Sequence, residues 1–255
     1  MSLTLLPLGT GDAFSALHHS CCNAVILEDA GARAVLLVDC PHPLRKVLKD
    51  AARPGVAPLD VGDLSAVLLT HLHADHASGV EGLLWYSRFV LGKKAVLALH
   101  DEVRADLWEH HLKGSMGQLL APDGSTLPLS LEVLADTVAL RDDVAVEVGP
   151  FRVELRRTRH HIPTFAVRVL AGGACVAFSA DTGWDEALLA WLLEADLVVH
   201  EAGHGPGHTP LERLAALPAA TRARMRLTHL GDEVDRDVLP ITPLREGEPV
   251  LVARR

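Results

Sequence analysis

The sequence predicts an α/β protein in which two β-sheets pack together and helices cover them on the outside. Three observations point there: short apolar, β-branched runs alternate with helical patterns, adjacent runs pair as hairpins near the start and in the middle, and several runs are apolar on both faces. No stretch of the 255 residues reads as a dividing linker, so one domain spanning residues 1–255 is expected.

Taken in order, strands are expected over residues 3–8, 24–28, 34–39, 66–70 and 95–99, each bounded by Gly, Pro or Asp. A second set is expected over 144–148, 151–155, 164–170, 174–179, 197–200 and 226–228. Helical patterns lie between them, at 43–51, 79–90, 102–112, 185–194 and 209–217. The turn Gly9-Thr10-Gly11-Asp12 closes the first strand, where glycine permits a tight bend and a close backbone approach. There is no internal repeat and no low-complexity tract.

Hydrophobic residues make up 49% of the chain and charged residues 22%, enough apolar material for a large core. Acidic residues outnumber basic ones by 33 to 24, a formal charge of −9, which disfavours broad capture of nucleic acid. The start, Met1 to Pro7, carries no basic leader, and no apolar run reaches membrane-spanning length, so a cytoplasmic protein without a membrane partner is expected. Four cysteines in a chain of this length are too few for a disulfide framework and read as reduced, mostly buried residues.

The densest chemistry lies in Thr70-His71-Leu72-His73-Ala74-Asp75-His76, directly after the apolar run 66–69. Two histidines one residue apart in a loop leaving a strand can turn their rings to one side and grip one cation. The Asp75-His76 pair opens the next helix and can face a second cation beside it. Nitrogen and oxygen ligands of this kind suit zinc, manganese or iron. A two-metal centre needs more ligands than one loop supplies. His160, before the strand at 164, Asp181, after the strand at 174–179, and His229, after 226–228 in a second Thr-His junction, are the remaining candidates.

In its order of motifs the chain resembles the metallo-β-lactamase superfamily, and within it the branch of ribonuclease Z and the phosphonate-pathway phosphodiesterases. The likeness runs from Leu8 to Gly11 through Leu37-Val38-Asp39, Thr70 to His76, His160 to Val169, Ser179 to Thr182 and Leu227 to His229. The resemblance implies a four-layer αβ/βα sandwich of two mixed sheets flanked by helices. It implies two divalent metal ions, zinc first and manganese or iron as alternatives. One would be held by His71, His73 and His160, the other by Asp75, His76 and His229, with Asp181 between them. The family places its third-motif histidine five residues before an aromatic residue, which His160 and Phe165 match, leaving His161 as a neighbour. Asp39 resembles the family's supporting aspartate behind the metals.

Val199-His200-Glu201-Ala202-Gly203, followed by His208-Thr209, resembles the segments that supply a proton donor and its partner in the same branch. Carried over, His208 is the donor and Glu201 its partner, although His204 lies in the same loop and the choice between the two histidines stays open. The chemistry is coherent on its own terms. An alkoxide leaves a phosphodiester poorly, and an imidazolium held charged by a carboxylate assists it. The metals would lower the pKa of a shared, bridging hydroxide-forming water, and Asp75 could take up its proton. An independent reading makes Thr209-Pro210 the cap of the following helix.

The expected activity is a metal-dependent hydrolase, a phosphodiesterase acting on a small or cyclic phosphodiester. The chain lacks a basic, glycine-rich arm between His76 and His160, which weighs against a tRNA 3′-end endonuclease. A carboxyl-ester, lactone or thioester hydrolase and a non-catalytic metal-binding accessory protein are the readings from other classes. Arg157 and Arg159 are candidates for phosphate contact. His18, His19, Cys21 and Cys22 could form a further metal site, although their spacing departs from a C-x-C-x-x-C pattern; His42 could line the pocket or lie in a surface turn, and His110-His111 could belong to a lid or an interface or act as ligands. The apolar helix with Trp85, Tyr86 and Phe89 leaves a homodimer open.

Overall fold

The computed structural model describes residues 1–53 and 55–254. In chain order the strands are β1 (Ser2–Gly9), β2 (Cys22–Asp29), β3 (Ala32–Val38), β4 (Ala66–Leu69), β5 (Ala95–His100), β6 (Gln118–Leu120), β7 (Thr126–Pro128) and β8 (Ala135–Leu140). The second half adds β9 (Val146–Val148), β10 (Phe151–Arg157), β11 (Phe165–Ala171), β12 (Ala174–Phe178), β13 (Leu197–Glu201), β14 (Met225–Thr228) and β15 (Val250–Leu251). The helices are α1 (Leu44–Asp50), α2 (Ala74–Ala77), α3 (Val80–Phe89), α4 (Asp101–Asp106), α5 (Lys113–Met116), α6 (Leu131–Leu134), α7 (Glu186–Leu192), α8 (Leu211–Ala215) and α9 (Ala219–Arg222).

Seven strands form the first sheet in the order β15-β1-β2-β3-β4-β5-β8, and six form the second in the order β14-β13-β12-β11-β10-β9. Both are mixed: β1, β2 and β3 pair antiparallel while β3, β4, β5 and β8 run parallel. In the second sheet β9 to β12 pair antiparallel and β12, β13 and β14 run parallel. Alternation along each strand decides which layer a side chain enters. Phe165, Val167 and Val169 of β11, with Val176 and Phe178 of β12, join the core shared with the first sheet. Ala166, Ala177 and Val198 face the other way, onto Leu188, Leu189, Trp191 and Leu192 of α7. Leu44, Val47 and Leu48 of α1 and Val80, Leu83 and Leu84 of α3 pack with the first sheet's residues. The result is the expected two-sheet sandwich with outer helices.

Every expected strand is present, with boundaries shifted by at most two residues. Four strands escape the sequence patterns. β8 is an edge strand whose Asp136 and Ala139 are exposed, so it lacks a continuous apolar run. β6 and β7 form an exposed hairpin with no lysine or arginine, unlike the basic arm of a tRNA processor. β15 returns to pair with β1. The helix expected over 102–112 ends at Asp106 and widens into a π-helical stretch, Leu107–Leu112. No described helix is long and apolar enough to cross a membrane.

Parallel register brings distant residues to one end of the sandwich. Val38 of β3 lies opposite Leu68 of β4, so Asp39 emerges beside Thr70 and His71. Phe178 lies opposite Val199, and Glu201 opposite Thr228, so Asp181, Glu201 and His229 emerge side by side. The Phe165 amide donates to the Thr70 carbonyl at 3.1 Å and ties the two sheets together at that end. Pockets in α/β proteins form outside the carboxyl ends of parallel strands for this reason.

Candidate metal centre

Three non-glycine residues at these strand ends, Asp39, Ala180 and His229, have positive φ, between 48° and 65°. Such a conformation costs about 1–3 kcal/mol each and persists only where surrounding contacts hold it. Here it turns the chain sharply, so that side chains one to three residues past each strand point inward.

His71, His73, His160 and Asp181 form one group of converging ligand atoms, and Asp75, His76, Asp181 and His229 form a second that shares Asp181. In the first group His73 Nδ1 lies 3.1 Å from His71 Nε2 and 3.2 Å from His160 Nε2. Asp181 Oδ2 lies 3.7 Å from His71 Nε2 and 3.8 Å from His160 Nε2. In the second group Asp75 Oδ2 lies 3.3 Å from His76 Nε2 and 3.2 Å from His229 Nε2. Asp181 Oδ1 lies 3.4 Å from His76 Nε2, and its Oδ2 3.6 Å from His229 Nε2. Ligands about 2.0–2.1 Å from a tetrahedral ion stand about 3.3 Å from one another, and both groups have that spacing.

The outer ring nitrogens are also arranged for metal binding. His76 Nδ1 donates to Asp39 Oδ2 at 2.8 Å, and His160 Nδ1 to the Gly207 carbonyl at 2.9 Å. His71 Nδ1 lies 2.9 Å from Thr70 Oγ1, whose hydroxyl donates to Asp39. Each contact puts the ring proton on the outer nitrogen and leaves the Nε2 lone pair facing inward. His76 Nε2 is buried and has no hydrogen-bond partner, which fits a cation as its intended neighbour.

Charge supports the same reading. Burial, and then the neighbouring His76, depress His71 well below its usual range. Burial lowers His160 to about 4, so both rings are neutral at pH 7. Asp181 is buried, which opposes ionisation, yet His76 and His229 hold it well below the usual carboxylate value. Burial likewise opposes ionisation of Asp75, and contacts from His229 and His76 overcome it.

His208 and Glu201 flank these groups. Their Nδ1–Oε1 separation is 3.4 Å, an ion-pair distance without hydrogen-bond alignment. Contact with the Glu201 carboxylate raises the His208 pKa against its partial burial. Glu201 Oε1 also accepts from the backbone amides of Thr182 and Thr209, both at 3.0 Å, so the carboxylate pins both loops. The His208 ring stacks on His229 with centroids 5.3 Å apart. His204 instead sits at the rim, 90% exposed and 3.3 Å from Glu233. Both histidines line a cleft of about 690 Å³, but only His208 stands against the ligand cluster.

Several expectations need correction. Arg157 pairs with Glu102, and Arg159 with Asp185 at 2.8 Å; neither lines the cleft. Thr209 does not cap the following helix, which starts at Leu211 after Pro210; its hydroxyl donates to the Thr182 carbonyl instead. Cys21 and Cys22 are buried and belong to none of the metal-competent groups among the described residues. His18 and His19 pair with Glu246 and Asp50. His42 lies in a surface turn, and His110 and His111 lie in the π-helical stretch, away from the cleft. Sequence reading missed Arg236, which donates to Thr10 Oγ1 at 2.7 Å and to the Thr10 and Leu230 carbonyls, bracing the turn beside His229. Nothing local in the sequence marks that contact, because it spans 226 residues.

Comparison with known proteins gives the family. The chain is 31% identical over 242 residues to the anti-Pycsar protein Apyc1 of Paenibacillus sp. (strain J14), covering 92% of each chain. It is 32% identical over 253 residues to the Apyc1 of Bacillus phage 010DV004, covering 92% of this chain and 91% of that one. Among solved structures, the metallo-β-lactamase fold protein YhfI from Bacillus subtilis superposes with a TM-score of 0.74 at 19% identity, covering 98% of this chain and all of that one. A diphosphatase of the PhnP family gives 0.69 at 17% identity, covering 97% of each chain. The short form of human tRNase Z gives 0.66 at 23%, covering 98% and 99%. These likenesses show the metallo-β-lactamase fold. With the anti-Pycsar protein Apyc1 profile matching residues 3–247, the chain belongs to the Apyc1 family.

Proposed function

We propose that this protein is a hydrolase of small phosphodiesters, a cyclic nucleotide or similar cyclic phosphate, working with two divalent metal ions, zinc foremost. The observation that carries the proposal is the adjacency of two ligand groups sharing Asp181 to the His208–Glu201 ion pair, all opening on one cleft. Bound divalent ions would supply Lewis acidity and an activated water. His71, His73 and His160 would hold one ion, and Asp75, His76 and His229 the other.

The chain's own groups divide the remaining work. Asp75 stands at the cleft surface of the second group, where it can take up a proton from the attacking water. His208, its charge supported by Glu201, can deliver a proton to the departing alkoxide. A carboxylic ester or lactone has a better leaving path through its polarised carbonyl and makes less use of such a donor.

The cleft wall also speaks to substrate size. Among the described residues its lining includes no lysine or arginine, while Asp12, Glu212 and Glu233 add negative charge near the rim. A polyanion such as tRNA would meet repulsion there, whereas a substrate with one phosphodiester brings one charge to the metals. Phe14, 92% exposed at the cleft edge, offers a flat apolar face to an aromatic base.

The test is hydrolysis of a 3′,5′-cyclic nucleotide, a lactone and a thioester by zinc-loaded native protein and His208→Ala. The proposal expects turnover of the cyclic nucleotide that falls about 10²–10⁴-fold in the variant at unchanged metal content. Preferential turnover of the carboxyl substrates, or no effect of the variant, would reject it.

A further inference from the structure

We propose that a chamber behind the metal centre is a built site for one ordered water, which makes Asn23 a positioning residue for His229 and Glu201. The inference rests on the reading of His229 as a metal ligand. Three of the ligand histidines have a partner for the ring nitrogen that faces away from the cluster, namely Thr70, Asp39 and Gly207. His229 breaks the pattern: its Nδ1 is buried with no hydrogen-bond partner. Asn23 Oδ1 and Glu201 Oε2 share that condition. The three residues are at most 4% exposed and line one chamber of about 20 Å³.

A water needs roughly 10–15 Å³ of accessible space and two to four polar partners. The donors and acceptors close on a single molecule. With Nε2 of His229 given to a metal ion, as the proposed function has it, the ring proton resides on Nδ1, which donates to the water oxygen. The two water protons are then given to Glu201 Oε2 and Asn23 Oδ1. A cation in the chamber would require lone pairs on both nitrogens of His229, an anionic ring, and is disfavoured on that ground.

The bridge has a consequence for chemistry. It orients a ligand of the second group and the carboxylate beside His208 through one molecule, so the two halves of the site are set together. Asn23 is held rigidly for this, in the middle of the first sheet between Pro7 of β1 and Val38 of β3. An amide in the otherwise apolar run of β2 has no other partner for its oxygen.

Two measurements test the proposal. A high-resolution crystal structure of the native protein is expected to show one water within hydrogen-bonding distance of His229 Nδ1, Glu201 Oε2 and Asn23 Oδ1. No density there, or direct contact between the three side chains, overturns it. Zinc affinity, read by competition with a chromophoric chelator, is then compared for Asn23→Leu and Asn23→Ala. Leucine fills the chamber and is expected to weaken zinc about 10–100-fold. Alanine leaves room for water and is expected to weaken it less. A simple packing role would reverse that order, because alanine opens the larger cavity, and the reversed order, or native affinity in both variants, also overturns the proposal. If native protein bound no zinc, the ligand reading of His229 would fall, while the density would still decide the water site.

Discussion

Asp39 Oδ2 accepts from His76 Nδ1 at 2.8 Å while the same carboxylate accepts from the amide and hydroxyl of Thr70 at 2.8 and 3.0 Å. One buried aspartate therefore fixes the ring of a candidate ligand and the first residue of the ligand loop. Asp39→Ala removes both. Zinc affinity by chelator competition is expected to fall about 10–100-fold, and an unchanged affinity would remove Asp39 from the metal-supporting role.

The His208 pKa is raised by its contact with Glu201, so the imidazolium persists to higher pH than an isolated histidine. A proton donor must be protonated, and activity should fall as pH rises through that value. Glu201→Gln removes the carboxylate's support and is expected to move this basic limb to lower pH, besides lowering kcat. The pH dependence of kcat for both proteins is the measurement; coincident basic limbs would contradict the assignment.

Acid should unfold the metal-stripped protein through Asp75 and Asp181. Both have folded-state pKa values depressed below their unfolded ones, burial opposing and neighbouring histidines favouring ionisation. The stability they contribute is present above the ordinary aspartate value, about 3.9, and is lost as pH falls toward the depressed folded values. Thermal melts from pH 5 to pH 2, below the ordinary histidine range, should show Asp181→Asn losing less on acidification than the native chain. Parallel losses would refute the linkage.

Gly9 has no room for a side chain, because a Cβ there would overlap the Ser20 carbonyl oxygen. The turn it opens is tied to the loop after His229 by the Leu230 amide, which donates to the Thr10 carbonyl at 3.2 Å. Gly9→Ala is expected to cost about 1–3 kcal/mol in denaturant unfolding and to weaken metal binding with it. A fully stable variant would show that the turn tolerates opening.

Much of this site is visible in sequence for a physical reason. His71, His73, Asp75 and His76 are close in the chain, so their spacing alone states their chemistry. Asp181 and His229 stand one to three residues past apolar strands, and strands are what the hydrophobic pattern reveals best. The remainder depends on contacts that no local pattern encodes. Arg236 reaches Thr10, and Glu201 and His229 meet behind the centre because parallel register aligns β13 and β14, while Asn23 joins them from β2 of the other sheet. Arg157 and Arg159 show the opposite case, since their position next to His160 suggested phosphate contact while alternation and local acids turn them to Glu102 and Asp185. The resemblance favoured His208 over His204 without closing the choice; the separation arises from a loop that leaves His204 at the rim and stacks His208 on His229.

Anomalous diffraction at the zinc edge from zinc-loaded crystals tests the two-ion centre most directly. Two peaks are expected, one among His71, His73 and His160, the other among Asp75, His76 and His229, with the Asp181 carboxylate reaching both. A peak located elsewhere, or none in either group at saturating zinc, would contradict the account.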